Sequence, residues 1–117
     1  MTGKFEIELE GVAYIGKFGI GAFEALCDEN DIEFFLLQSK LESNPLLIIE
    51  LTYHACKVYA EIKGIEFNVN KLIFKELLSD DQTKQLQKVS TALAKSYVLG
   101  VGLGGEAPAQ KGTAKKK

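Results

Sequence analysis

The chain has 117 residues, of which 46% are hydrophobic and 26% charged, and its formal net charge is −2. This length fits one small domain and leaves little room for a second. All 14 basic residues are lysine, so the forked guanidinium donor typical of nucleic-acid readers is missing, and one histidine with two cysteines cannot build a disulfide framework or a zinc site of several His and Cys ligands.

The N-terminal residues predict an antiparallel hairpin over residues 4–18. Phe5, Ile7 and Leu9 alternate with glutamates, which is the pattern of a strand with one apolar face. Gly11 supplies the turn, and residues 12–18 form the returning strand. Because an isolated hairpin is marginal in water, we expect its apolar face to rest on another element. This alternation is unlike the apolar core of a signal peptide, and the longest apolar run is too short to span a membrane, so we expect a cytoplasmic protein.

Helical spacing begins at Gly21 and predicts four to five helices over residues 21–99. The first ends in the acidic group at residues 28–31, and a short second helix covers residues 32–41. Asn44 and Pro45 then form a start signal for a long central helix that runs to about Lys63. Its polar side chains share one narrow stripe: Glu50, His54, Lys57 and Glu61.

Two more helices are predicted after Gly64, which stops the central helix. The first follows Asn68 or Asn70 and has its apolar face at Val69, Leu72, Ile73 and Leu77. Residues 79–82 have the form of a capping box and predict the start of the last helix. That helix carries apolar residues on one side, Leu86, Val89, Leu93 and Tyr97, and polar residues on the other, Lys84, Lys88, Thr91 and Lys95.

Glycines from Gly100 onward end the last helix, and residues 105–117 hold four lysines and one glutamate. We expect this segment to be a flexible, disordered tail. Residues 1–104 are then a single globular domain. The expected fold class is α+β, mainly α, with an N-terminal β-hairpin followed by a helical bundle.

Two glycine patterns resemble nucleotide-binding motifs but have the wrong context. The segment from Gly11 to Lys17 matches a P-loop until Phe18 stands where a magnesium-binding Ser or Thr is required, and its middle is strand-like. The segment from Gly100 to Gly105 has the G-x-G-x-x-G form, but it follows a helix and opens none. We interpret the first as part of the hairpin and the second as the exit from the last helix.

The remaining candidate groups also have ordinary structural interpretations. His54 can form an ion pair with Glu50 but has no second nitrogen ligand nearby in sequence, so a surface or boundary position is expected. Cys27 and Cys56 are expected to be small buried hydrophobic residues. The acidic group at residues 28–31 begins like a calcium loop, but Ile32 and Glu33 break the pattern, which favours helix capping.

These patterns predict no catalytic residue, no cofactor and no metal, and the chain is not expected to be an enzyme. The predicted helices carry more apolar surface than such short helices can bury against one another, which favours an interaction protein. The partner-binding face is predicted on the last helix, at Leu86, Val89, Leu93 and Tyr97. The lysine stripe of the same helix either contacts an acidic partner or is a solvated face.

The order of elements resembles that of the small tail assembly chaperones of long-tailed bacteriophages and prophages. The resemblance covers about residues 4–99. In that family a strand pair leads through an F-G stretch into a short helix, as in Phe18-Gly19 followed by residues 23–26. A helix with an N-P start and an L-x-Y-x-A segment follows, as in Asn44-Pro45 and residues 51–55.

The resemblance implies a non-enzymatic protein that binds the largely helical tape measure protein and keeps it soluble while the tail tube polymerises. The expected partners are the tape measure protein and the tail tube protein, with self-association of the chain as an additional contact, and with neither nucleic acid nor membrane involved. Such a protein acts in the host cytoplasm and is absent from the mature virion. The alternatives are a structural adaptor retained in the particle and, disfavoured by the incomplete glycine motifs, a small-molecule or nucleotide-binding enzyme.

Overall fold

A computed structural model describes residues 3–80, 84–98 and 101–102, with the backbone alone at 97–98 and 101–102. An N-terminal hairpin precedes five helices, which confirms the α+β, mainly α fold class. The elements are β1 (Lys4–Leu9), β2 (Val12–Lys17), α1 (Ile20–Asn30), a 3₁₀ turn (Phe34–Leu36), α2 (Leu37–Ser43), α3 (Leu46–Lys63), α4 (Lys71–Ser79), α5 (Gln85–Ala94), β3 (Tyr97–Val98) and β4 (Val101–Gly102). The predicted tail, residues 105–117, lies outside the described residues, and the single domain over residues 1–104 stays a prediction.

The hairpin has the alternation that its sequence predicts. Strands β1 and β2 are antiparallel, with Lys4 opposite Lys17 and Leu9 opposite Val12. Their connection is tight because Glu10 and Gly11 both have positive φ, 51° and 80°, as a two-residue mirror-image turn requires. The buried residues of β1 are those predicted: Phe5, Ile7 and Leu9.

Two helices pack against the hairpin, one on each strand. Helix α5 packs on β1, and helix α3 packs on β2. The second contact is close because β2 has a glycine at position 16, where an added Cβ would lie 2.5 Å from the Phe5 ring and 3.1 Å from the backbone nitrogen of Cys56. The hairpin is therefore held between the central and the last helix, which provides the support that an isolated hairpin lacks.

Helix α3 is the central helix, as predicted. It contacts β2, α1, α2 and α4, and Leu51, Ala55 and Cys56 are fully buried on it. At its start, the side-chain oxygen of Asn44 accepts a hydrogen bond from the Leu46 N–H at 3.3 Å. Gly64 ends the helix with a φ of 70°, because a left-handed residue lets the chain satisfy the last carbonyls.

Helix α4 begins where one of the two predicted caps stands, but its predicted buried face is only partly correct: Val69 and Leu77 pack against the core, and Leu72 and Ile73 do not. The Asn70 side chain accepts a hydrogen bond from the Ile73 N–H at 3.1 Å. Phe74 and Leu78 are the residues that α4 buries, whereas Leu72 and Ile73 are exposed. The physical reason is an aromatic cluster: the Phe74 ring lies 5.6 Å from the rings of both Tyr14 and Tyr53, and this contact sets the rotation of the helix.

The predicted start of the last helix is also wrong. Ser79 is the last residue of α4, and its hydroxyl donates to the Lys75 carbonyl at 2.6 Å instead of capping a new helix. Helix α5 begins later, at Gln85, and ends at Ala94. The residues after it do not continue the helix: Tyr97 pairs with Gly102 and Val98 with Val101.

Candidate functional site

The structure places the predicted partner-binding face of α5 mostly inside the fold. Val89 is fully buried, Leu93 is 5% exposed, and Leu86 is half-buried against the same core. The side chain of Tyr97 lies outside the described residues. The apolar stripe of α5 meets the apolar face of β1, so Val89 and Leu93 are not a free surface in this fold. The role assigned to this face in partner binding stays a prediction.

A different surface combines apolar side chains with a concave shape. A groove of about 270 Å³ lies between α1 and the 3₁₀ turn. We call it the α1 groove, and it is lined by Ile20, Phe23, Glu24, Cys27, Asp28, Phe34 and Phe35. Phe35 is 85% exposed and Ile20 is 56% exposed. Exposed bulky apolar side chains beside a groove are typical of interaction sites.

The local sequence explains how these aromatic rings reach α1. Asp31 ends α1 in the left-handed conformation, with a φ of 53°, and turns the chain back. The Ile32 N–H then donates to the Cys27 carbonyl at 3.0 Å. The 3₁₀ turn follows and carries Phe34 and Phe35, whose rings meet edge to face with centroids 5.6 Å apart. Phe34 packs partly against the core and supports the more exposed Phe35.

The polar residues of the α1 groove give it an acidic rim. Glu24 and Asp28 both line the groove and are exposed. Cys27 lies between them and is half-buried. Burial and then the negative charge of Asp28 raise the pKa of the Cys27 thiol, so the thiol stays protonated at neutral pH. The groove therefore suits an apolar ligand with flanking positive charges.

A second cluster joins α1, α3 and α4 through charged side chains. His54 Nε2 lies 3.1 Å from Glu29 Oε1. The Lys71 ammonium contacts Glu29 Oε1 and lies 3.3 Å from Glu50 Oε2. The Asn30 side chain donates to the same Glu50 oxygen at 3.0 Å. These side-chain contacts thus link three helices in one polar cluster.

These contacts shift the pKa of two groups in the cluster. The side-chain contact with Glu50 and then the hydrogen bond that Lys71 donates lower the pKa of Glu29 to about 2, with a smaller contribution from His54. Burial opposes ionisation of Lys71, but hydrogen bonds and charges of Glu29 and Glu50 outweigh it and raise the pKa of this lysine. Glu29 and Lys71 are therefore both charged across the physiological range.

Glu29, Glu50 and His54 also form a set of potential metal ligands, with one ligand atom from each lying within 4.8 Å of the others. The Lys71 ammonium lies against both carboxylates, in the position that a cation between them would take. A metal ion would have to displace this lysine. The spacing of Glu50 and His54 is visible in the sequence, but Glu29 is not, because a contact over 25 residues leaves no sequence signal. The expected surface or boundary position of His54 is wrong, since the residue is 7% exposed.

The remaining sequence motifs have structural positions. Residues 11–18, the incomplete P-loop pattern, form the hairpin turn and β2 instead of a loop before a helix. Cys56 is buried as expected, and burial raises its pKa to about 12. Within the described residues, no helix combines the length and apolar character needed to cross a membrane.

Comparison with known proteins adds no assignment. The chain matches no protein-family model, no curated protein and no solved structure. The resemblance to tail assembly chaperones stays a prediction that rests on the order of elements and the short motifs described above.

Proposed function

We propose that this protein is a tail assembly chaperone of a long-tailed bacteriophage or prophage. In this proposal it binds apolar helical segments of the tape measure protein at the α1 groove and keeps that protein soluble until tail-tube subunits replace it. The observation that carries the proposal is the exposure of Phe35, at 85%, beside a groove lined by Ile20 and Phe23. The sequence resemblance supplies the identity of the partner.

The chemistry of the α1 groove fits this ligand class. An amphipathic helix docks by placing apolar residues of one face into an apolar groove. A single aromatic anchor such as Phe35 is the kind of residue that dominates the binding energy of small interfaces. Basic residues beside the apolar stripe of the partner would meet Glu24 and Asp28 on the rim.

The small size of the α1 groove supports reversible binding. A groove of about 270 Å³ accepts only a few side chains, so the total affinity stays modest and a competing subunit can displace the ligand. The proposed sequence of events takes place in the host cytoplasm and leaves the chaperone absent from the mature virion. Self-association through the same apolar surface would compete with partner binding.

Co-expression with the tape measure protein of the same phage or prophage tests the proposal. The wild-type chain is expected to co-purify with the tape measure protein and to increase its soluble fraction. Phe35→Ser should abolish both effects, because it removes the aromatic anchor without touching the core. The matched control is Leu72→Ser, which changes another exposed apolar residue, on α4, and should behave like wild type.

Two results would contradict the proposal. If Phe35→Ser and Leu72→Ser both bind the tape measure protein as the wild type does, the α1 groove is not its site. If the chain is found at a fixed copy number in purified particles, it is a retained structural adaptor and not a chaperone. Size-exclusion chromatography of both variants reports whether self-association uses the same surface.

A further inference from the structure

A second groove lies on another part of the fold, between β1 and α5, and encloses about 860 Å³. One wall is the β1 edge at residues 3–6. The other wall is α5 with its flanking residues, including Lys84, Lys88 and Lys95. We call this the basic groove. It shares no lining residue with the α1 groove.

The basic groove holds positive charges that lack counterions within the described part of the chain. Lys84, Lys88 and Lys95 are exposed, and none of them takes part in an ion pair there. Lys71 and Lys75 on α4, by contrast, are each paired with a glutamate. The carboxylate side chain among the lining residues is that of Glu6. The groove thus concentrates positive charge in a chain whose net charge is −2.

The three lysines follow the groove along α5. Lys88 lies on the helix, and Lys84 and Lys95 flank its two ends. An extended acidic segment that runs along the groove can therefore bring carboxylates to each lysine in turn.

Strand β1 contributes a backbone N–H donor to the same groove. The Phe18 N–H donates to the Gly3 carbonyl at 2.9 Å. In an antiparallel pair the backbone bonds involve every second residue, so with this register the odd-numbered residues of β1 are the ones that bond to β2. The Glu8 N–H accordingly points away from β2 and donates to Gln85 on α5 at 2.9 Å. By the same alternation the Glu6 N–H faces the basic groove, where it can donate to an oxygen of a bound segment.

The character of the lining favours polypeptide over nucleic acid. Single-stranded nucleic acids are held by stacking of bases on exposed aromatic rings and by positive charge. Phe5 is the aromatic residue of the lining, and it is buried. The groove offers separate ammonium groups and a backbone donor, which suit the carboxylates of an acidic peptide.

We propose that the basic groove binds an extended acidic segment of a partner polypeptide, whose carboxylates pair with Lys84, Lys88 and Lys95. This site lies apart from the α1 groove and does not rest on the proposed chaperone function. The sequence leaves the lysine stripe as either a solvated face or a partner contact. In this proposal the stripe is a partner-binding surface.

Fluorescence anisotropy with a short fluorescein-labelled polyglutamate peptide tests this site on the full chain. The wild type should bind the peptide in a salt-dependent manner, and a polyglutamine peptide should not bind. The triple variant K84Q/K88Q/K95Q should bind about tenfold more weakly, as expected for three exposed ion pairs. The control K40Q/K57Q/K63Q removes the same charge from exposed lysines outside the groove and should keep most of the affinity.

Three results of these binding experiments would contradict a specific peptide site in the basic groove. Equal losses in the two triple variants would mean that net charge alone drives binding, and an unchanged K84Q/K88Q/K95Q variant would place the peptide elsewhere; either result overturns the proposal. Tighter binding of an oligothymidylate of matched charge would make the groove a nucleic-acid surface and also overturn it. Phe35→Ser should leave peptide binding unchanged, so the failure of one proposal is distinguishable from the failure of the other.

Discussion

His54 on α3 lies with its Nε2 atom 3.1 Å from Glu29 Oε1 at the end of α1. The contact is one side of a polar cluster in which Lys71 of α4 touches the same carboxylate. Helices α1 and α4 each contribute one charged group and α3 contributes two ionisable groups, Glu50 and His54, so the cluster links α1, α3 and α4.

The cluster makes stability depend on acid pH through Glu29. The pKa of Glu29 is lowered from 4.5 to about 2 in the folded chain, so its contribution is fully present above about pH 4.5 and is lost as the pH falls toward 2. Because this side chain is 44% exposed, we expect a contribution of less than about 1 kcal/mol. Urea unfolding at several pH values should show a smaller acid loss in Glu29→Gln than in wild type. Glu61→Gln, on the exposed side of α3, is the control, and equal pH profiles for both variants would contradict the assignment.

The close contact between β2 and α3 makes Gly16 a stability determinant. In Gly16→Ala the new Cβ would meet the Phe5 ring at 2.5 Å and the Cys56 backbone nitrogen at 3.1 Å. Backbone cannot yield as a flexible side chain does, so we expect a loss of about 1–3 kcal/mol in the free energy of unfolding. Gly19→Ala is the matched control, since the atom nearest its Cβ is the mobile Lys17 ammonium. Similar stability of the two variants would show that the hairpin shifts freely on α3.

Helix α5 should behave as a core element and not as a free surface. Leu93 is buried against the hairpin, so Leu93→Ala should lower the free energy of unfolding by about 2–5 kcal/mol. Leu72→Ala on α4 should cost less than about 0.5 kcal/mol, because the side chain is 65% exposed. Thermal or urea unfolding measures both. A mild effect of Leu93→Ala would return this face to the candidates for partner binding.

The two cysteines should differ in reactivity. Burial raises the pKa of Cys56 to about 12, so this thiol stays protonated and unreactive at pH 8. Cys27 is half-buried in the α1 groove and also has a raised pKa. Maleimide labelling followed by peptide mass mapping should modify Cys27 slowly and Cys56 only on unfolding.

The Cys27 reaction also reports on the α1 groove. A helical ligand bound there should slow Cys27 labelling, whereas polyglutamate in the basic groove should leave the labelling rate unchanged. Faster labelling of Cys56 than of Cys27 in the folded chain would contradict the described burial of these residues.

Several elements of this fold follow from local sequence signals. Alternation in residues 5–9 specified the strand, Gly11 the turn, Asn70 a helix cap and Gly64 a helix end. Each of these features depends on φ, on a capping hydrogen bond or on the two-residue period of a strand, which involve only neighbouring residues. The fold class follows from their order.

Which helix and strand faces are buried depends on long-range packing. The aromatic contacts of Phe74 rotate α4 so that Leu72 is exposed, and the apolar face of β1 covers the stripe on α5. The same long-range packing brings Glu29 to His54 and Lys88 beside β1. A helix with apolar residues on more than one side has several ways to pack, and the choice among them depends on the shape of distant partners rather than on its own sequence pattern.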